Sequence, residues 1–188
     1  MKKQLLLATL LSLFSTLTLA HPGHALSTAY AGWMHPFTGW DHLLMMLAVG
    51  FWAAKSSGGM RWKLPLTFMV FMAIGASLGL MRLAIPGVET AIAASLIAMG
   101  VVLAVNLPIA TIASVVLVAV FALFHGLAHG VELGGANNQL VLIGMLSATA
   151  LLHGLGYVLG AQQLKIRGFI NAGLALAMLV LGSALLVS

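Results

Sequence analysis

The chain has 188 residues, of which 62% are hydrophobic and only 6% are charged. Soluble globular domains carry about 25% charged residues, so this composition excludes that class and predicts an integral membrane protein. The net charge of +5 comes from eight basic residues scattered along the chain, which excludes a nucleic-acid-binding face. Because cysteine is absent, a disulfide framework and thiolate metal ligands are excluded as well.

The first 20 residues have the pattern of a secretory signal peptide. Lys2 and Lys3 precede an apolar run from Leu5 to Phe14, and small residues suited to a signal peptidase then end at Ala20. We expect residues 1–20 to be cleaved off, and the alternative is an uncleaved anchor helix of the same length.

Cleavage would expose a short histidine-containing segment outside the cytoplasm. It begins His21-Pro22-Gly23-His24, so a free amine and two imidazoles could hold a metal ion loosely. Because Pro22 has no N–H, a square-planar site built on deprotonated backbone amides is disfavoured. A flexible polar tail is an equally good interpretation.

Six apolar stretches follow, each close to the ~20 residues that cross the hydrocarbon core of a bilayer. We therefore predict an all-α integral membrane bundle of six transmembrane helices, forming a single domain over residues 21–188. The predicted spans cover residues 36–54, 64–81, 88–105, 108–129, 139–160 and 168–187. Turn-forming glycine, proline and asparagine residues separate them.

The basic residues predict the orientation of these spans. If the mature amino terminus lies outside, only Arg82 falls in an outer loop. The inner loops then carry Lys55, Arg61, Lys63, Lys165 and Arg167. This distribution obeys the positive-inside rule, and an even number of crossings places both mature termini outside the cytoplasm.

One cluster of ionisable residues lies at the outer end of the first predicted span. It contains His35, Asp41 and His42. Pro36 suits the first position of a helix, so we expect His35 at the helix cap. Seven residues separate His35 from His42, so both project in nearly the same direction, while Asp41 could bind a metal ion or orient an imidazole.

A second cluster ends the fourth predicted span, in the run Phe-His-Gly-Leu-Ala-His-Gly-Val-Glu at residues 124–132. On a helix, His125, His129 and Glu132 project from one stripe, which makes half a coordination shell for a borderline divalent cation. A titratable group in the apolar region costs on the order of 2.5–3.5 kcal/mol. Two such clusters on one side of the membrane therefore indicate a metal site rather than hydrogen bonds between neighbouring helices.

His153 is predicted to lie a little past the middle of the membrane, in the fifth span. It could relay a cation inward, or it could be an isolated histidine whose hydrogen bonds are satisfied by its neighbours. Met45 and Met46 follow His42 by three and four residues. Thioethers favour Cu(I), but methionine more often fills a core.

At its two clusters the sequence resembles the HupE/UreJ family, small membrane proteins encoded with hydrogenase or urease systems and regarded as nickel permeases. Members are similar in carrying His-x5-Asp-His in the first mature span and Phe-His-Gly-x-Ala/Val-His-Gly-x-Glu in a later one, and this chain matches both. The resemblance implies a permease of the bacterial inner membrane that supplies a hydrogenase or urease with Ni²⁺, with Co²⁺ as the alternative.

We therefore predict that a divalent cation is captured on the outer face and passed inward. The expected metal-binding residues are His35, Asp41, His42, His125, His129 and Glu132, with His21, His24 and His153 in lesser roles. Among them, direct ligation is expected from His42, His125 and His129, while His35 stands at the entrance. The two carboxylates are expected to balance charge or orient rings.

The membrane potential is a sufficient energy source for this transport. A divalent cation gains roughly 4.6 kcal/mol on entering a cell at about −100 mV, so no nucleotide is needed, and the chain has no Walker motif. The alternative function is an intramembrane Zn or Fe enzyme, although a His-Glu-x-x-His protease motif is absent. We expect no prosthetic group, only the cation and the bilayer as partners, and the sequence is compatible with a homo-oligomer.

Overall fold

The computed structural model describes residues 28–83, 85–106, 108–133 and 138–188. The predicted signal peptide and the histidines at positions 21 and 24 lie outside these residues. Within the described ranges, every long element is an α-helix. The helices are α1 (Ala29–Thr38), α2 (Trp40–Lys55), α3 (Met60–Leu80), α4 (Val88–Val105), α5 (Thr111–Glu132), α6 (Asn138–Gly160) and α7 (Leu164–Val187).

Five of these helices, α3 to α7, are long and apolar enough to cross a membrane. The prediction of an all-α, multi-pass membrane protein is therefore confirmed. The bounds of α4 coincide with a predicted span, because turn residues mark both of its ends. Gly87 precedes the helix with φ of 82°, and Asn106 follows it with φ of 53°, left-handed conformations that glycine and asparagine adopt most readily.

The first predicted span is wrong as a single helix, because the chain breaks at Gly39 between α1 and α2. Pro36 lies inside α1, and His35 is in its last turn rather than at a cap. The helix begins earlier because the hydroxyl of Thr28 accepts the N–H of Ala31, and threonine is a much stronger N-cap than histidine. With 16 residues, α2 is too short to cross a bilayer core alone.

Glycines let α3 and α5 pack backbone against backbone. A Cβ at Gly126 would strike the carbonyl oxygen of Met72, and a Cβ at Gly130 would strike that of Ala76. Gly75 on α3 fits against α5 in the same way. The glycines of both helices are therefore packing positions, since small residues let two helix backbones approach closely.

A similar contact joins α2 and α6. A Cβ at Gly156 would strike the carbonyl oxygen of Leu47, and one at Gly160 would lie 2.6 Å from that of Phe51. Within the described residues, α2 lies in the middle of the bundle, in contact with α1, α3, α4, α6 and α7, whereas α5 packs mainly against α3 and α4. The interior beside α2 and α3 is filled by fully buried side chains, among them Met45, Met46, Phe51, Phe68 and Met72.

Candidate metal-binding site

Three histidines from three helices converge at the end of the bundle where α2 begins and α5 ends. They are His35 of α1, His42 of α2 and His129 of α5, and their ligand atoms all lie within 4.8 Å of one another. The ring centroids of His42 and His129 are 4.4 Å apart, and those of His35 and His129 are 4.8 Å apart. His42 and His129 are buried, whereas His35 is half-buried.

This spacing suits one metal ion. Imidazole nitrogens bind a divalent metal at about 2.0–2.1 Å, which places two ligand nitrogens roughly 3–3.5 Å apart. The ligand atoms lie within 4.8 Å of one another, so side-chain movements of about 1 Å would bring them to metal-binding distances. Rotation about the side-chain bonds supplies such a movement without any change in the helices.

Both carboxylates predicted from the sequence lie beside these rings. Oδ1 of Asp41 is 2.8 Å from Nδ1 of His42, an ion-pair distance without hydrogen-bond geometry. Oε2 of Glu132 is 3.3 Å from Nε2 of His35 and 3.8 Å from Nδ1 of His129. Each carboxylate can therefore orient an imidazole or take a coordination position itself.

The helix break at Gly39 makes room for the first of these pairs. A Cβ at this position would lie 2.9 Å from Oδ1 of Asp41 and 3.1 Å from Nδ1 of His42. Gly39 therefore has two roles, since it separates α1 from α2 and leaves space beside the carboxylate and the ring. Sequence reasoning missed this residue, for which the local signal was a glycine inside an apolar stretch.

His125 lies one turn before His129 on α5. Its ring contacts the ring of His42, with 5.4 Å between the two ring centroids. Its Nδ1 lies 2.8 Å from the carbonyl oxygen of Phe121. A carbonyl oxygen only accepts, so Nδ1 donates its proton and Nε2 retains a lone pair. This is the tautomer in which imidazole binds metal through Nε2.

Few hydrogen bonds satisfy the polar atoms of the cluster. Nε2 of His42, Nε2 of His125 and both ring nitrogens of His129 are buried without a hydrogen-bond partner among the described residues. Leaving such a group buried and unpaired costs about 1–3 kcal/mol. Each neutral ring has one nitrogen with a lone pair, so the three histidines offer three lone pairs, and a transition-metal cation fits this donor set.

The sequence model of the family described as HupE / UreJ protein matches residues 8–185 of the chain. The chain belongs to the HupE/UreJ family. A curated relative, Protein HupE of Rhizobium leguminosarum bv. viciae, is 41% identical over 170 residues, which cover 89% of each protein. No solved structure matches the chain.

HupE/UreJ proteins are accessory transport proteins for nickel or cobalt in hydrogenase and urease systems, not enzymes. The resemblance predicted from the two motifs is therefore confirmed, and so is the prediction that the chain is not an enzyme. The alternative of an intramembrane Zn or Fe enzyme is not supported. The two HupE/UreJ motifs are also the two segments that the structure brings together at one end of the bundle.

The structure brings the ligand atoms of His35, rather than those of His125, closest to the ligand atoms of His42 and His129. Direct ligation was expected from His42, His125 and His129, with His35 at the entrance. In the structure the three closest ligand atoms belong to His35, His42 and His129, and His125 lies beside them. The difference follows from the break at Gly39, because His35 approaches from a helix of its own.

His153 is separate from this cluster. It lies in the middle of α6 with 3% of its surface exposed, and its ring centroid is 5.2 Å from that of Phe68. The ring of Phe68 also contacts His125, with 5.9 Å between the two ring centroids. Among the described residues, Phe68 therefore links His153 to His125 and, through it, to the candidate site.

Proposed function

We propose that this protein is a permease that captures Ni²⁺ at its extracytoplasmic face and releases it into the cytoplasm. The observation that carries the proposal is the convergence of His35, His42 and His129 within 4.8 Å, next to two carboxylates. We assign direct ligation to these three histidines. Asp41 and Glu132 orient the rings or complete the shell, and His125 presents the next lone pair along the bundle.

Charge balance supports a divalent cation. Neutral imidazoles together with the carboxylates of Asp41 and Glu132 carry a formal charge of about −2, which a divalent ion cancels. A site with no net charge reduces the cost of holding an ion at the edge of the hydrocarbon region. A monovalent or trivalent ion would leave the site charged.

Donor chemistry supports a transition metal. Imidazole nitrogen suits nickel, cobalt, copper and zinc, whereas Mg²⁺ and Ca²⁺ take oxygen ligands. Affinity order alone favours Cu²⁺ over Ni²⁺, so geometry must select between them. Ni²⁺ is favoured because the chain belongs to a family of accessory transport proteins for nickel or cobalt.

We propose six crossings, of which α1 and α2 together make the first. This arrangement puts the amino terminus of the mature chain and its carboxyl terminus outside the cytoplasm, after cleavage of residues 1–20. The histidine cluster then faces outward, and the basic loops before α3 and α7 face the cytoplasm, in accord with the positive-inside rule. The membrane potential drives entry without nucleotide.

Transport by reconstituted protein tests the proposal. Purified protein is placed in liposomes that contain a metal-sensitive dye, and a potassium diffusion potential makes the lumen negative. We expect Ni²⁺ to enter faster than Zn²⁺ or Cu²⁺, with Co²⁺ as the nearest competitor and Mg²⁺ excluded. Ni²⁺ entry no faster than in protein-free liposomes would overturn the proposal.

Variants connect the transport to the cluster. His129→Ala removes a ligand from the centre of the set, so we expect Ni²⁺ uptake to fall to the level of protein-free liposomes. Ser77→Ala is the control, because among the described residues this exposed hydroxyl donates to the carbonyl oxygen of Ala73 in its own helix. If His129→Ala took up Ni²⁺ at the wild-type rate, the assignment of the binding site to this cluster would be wrong.

A further inference from the structure

A second polar group lies inside the bundle, in contact with Phe68, which also contacts His125 next to the outer cluster. His153 is buried, and neither of its ring nitrogens makes a hydrogen bond among the described residues. The backbone of Thr149, one turn earlier, lies near the ring without hydrogen-bond geometry. Packing alone does not explain this residue, because leucine would fill similar space without an unpaired polar group.

Two thioether sulfurs lie beside Thr149, in the turn of α6 that precedes His153. The hydroxyl of Thr149 donates to Sδ of Met46 at 3.3 Å, and Sδ of Met72 lies 3.9 Å away. All three side chains are fully buried. Other helical hydroxyls, such as those of Ser77 and Ser95, bond to carbonyls of their own helix instead. Thr149 thus directs its hydroxyl between helices, towards two thioethers.

A continuous series of ring contacts joins this region to the outer cluster. The centroid of His125 is 5.4 Å from that of His42, and Phe68 lies 5.9 Å beyond it. The ring of His153 follows at 5.2 Å from Phe68. Phe68 is therefore in contact with both His125 and His153, and it is the side chain that links the two histidines.

Thr149 and His153 are four residues apart and lie on one stripe of α6. We propose that His153, together with the Thr149 hydroxyl one turn away and the thioethers of Met46 and Met72 that contact this hydroxyl, forms an inner binding site for the transported cation. The inference rests on the proposed function, and it adds a second position along the route. Neutral nitrogen and sulfur donors accept a borderline cation such as Ni²⁺ or Co²⁺ and reject Mg²⁺ and Ca²⁺. The inner site therefore rejects the same two cations, Mg²⁺ and Ca²⁺, as the outer cluster.

The two sites differ in charge, which gives the inner one a distinct role. The outer cluster contains Asp41 and Glu132, whereas no carboxylate belongs to the proposed inner set. Without charge compensation the inner site binds more weakly. Conduction requires sites that hold an ion strongly enough to enter and weakly enough to leave, so a weak inner site favours release towards the cytoplasm.

The test compares binding with transport in the same variants. Equilibrium binding of radioactive nickel to purified protein reports the outer cluster, and dye-loaded proteoliposomes report transport. We expect His153→Leu to bind nickel within twofold of the wild-type affinity and to transport it at least tenfold more slowly. Thr149→Val, which keeps the shape and removes the hydroxyl, should slow transport severalfold.

Ser95→Ala is the matched control, because it also removes a buried hydroxyl, one that donates to the carbonyl oxygen of Ile92 in its own helix. Both of its readouts should equal those of the wild type. His153→Gln keeps a polar side chain and replaces the leucine variant if that variant does not fold; it should likewise bind nickel normally and transport it more slowly.

The outcomes separate this inference from the proposed function. A wild-type protein that transports no nickel overturns the proposed function and the inner site together. Wild-type transport by a folded His153 variant overturns the inner site and leaves the outer cluster standing. Loss of equilibrium binding in a folded His153 variant also overturns the inference, because His153 would then belong to the outer cluster.

Discussion

Replacing Gly39 with alanine tests the candidate site without removing any proposed ligand. The added Cβ would lie 2.9 Å from Oδ1 of Asp41 and 3.1 Å from Nδ1 of His42, whereas ordinary contacts begin at 3.4 Å. The carboxylate must therefore retreat by the difference between 3.4 and 2.9 Å, about 0.5 Å. Gly39 has φ of −96° and ψ of 115°, which alanine adopts without strain.

The two effects of this substitution have different magnitudes. The atoms that must move end flexible side chains, so the free energy of unfolding should change little. Metal affinity should change more, because disturbing a group that orients a metal-binding histidine lowers affinity roughly 10–100-fold. We expect Gly39→Ala to fold normally and to bind Ni²⁺ more weakly by about 1.4–2.7 kcal/mol.

Titration calorimetry with Ni²⁺ and thermal unfolding of the same detergent-purified samples measure both effects. Gly173→Ala is the matched control, because no atom lies within 4 Å of a Cβ added at this position in α7. Its Ni²⁺ affinity should equal that of the wild type. If Gly39→Ala also bound Ni²⁺ with wild-type affinity, Asp41 and His42 could be displaced without consequence, and the reasoning that places them in the site would be refuted.

Three further predictions concern packing, charge and protonation. Gly126→Ala should prevent normal folding, because the added Cβ strikes a backbone carbonyl of α3 that has no room to retreat; a wild-type melting temperature would contradict the close contact of α3 and α5. Asp41→Asn keeps the shape of the side chain and removes its charge, so the Ni²⁺ affinity measured by calorimetry should fall roughly tenfold or more; an unchanged affinity would show that the charge does not contribute. Lowering the external pH from 7 to 5 should slow Ni²⁺ uptake into proteoliposomes, because imidazole titrates near pH 6.5 in model compounds and a protonated imidazole has no lone pair for a metal. Uptake independent of pH over this interval would argue against histidine ligation.

Hydropathy predicted most of the helices because a helix able to cross the hydrocarbon needs about 20 consecutive apolar residues, and five of the described helices have that length and composition. It placed α4 at residues 88–105 and the start of α6 within one residue, since glycine, proline and asparagine end the apolar stretches there. It failed at Gly39, because a single glycine barely changes the mean hydropathy of a window. The capping hydroxyl of Thr28, which shows that a helix begins before Pro36, was the signal that sequence reasoning overlooked.

The residues of the candidate site were recognisable from the sequence, but their arrangement was not. Helical spacing places His125 and His129 on one stripe, because both belong to the same helix. The position of His35 depends on the break at Gly39 and on how α1 packs against the rest of the bundle. These are tertiary features, so spacing along the chain could not show that His35 lies nearer to His129 than His125 lies to His42.

The His-Gly-x-x-His-Gly pattern of α5 explains how packing and metal binding share one helix. Residues four apart lie on the same stripe, and the following residue is rotated by about 100°. His125 and His129 therefore face α2, while Gly126 and Gly130 face the backbone of α3. The glycine contacts fix the position of α5 along α3, and that position sets the height of both imidazoles. A one-residue insertion between the two His-Gly pairs would turn one pair by about 100° relative to the other, so the glycine contact and the histidine cluster would be lost together.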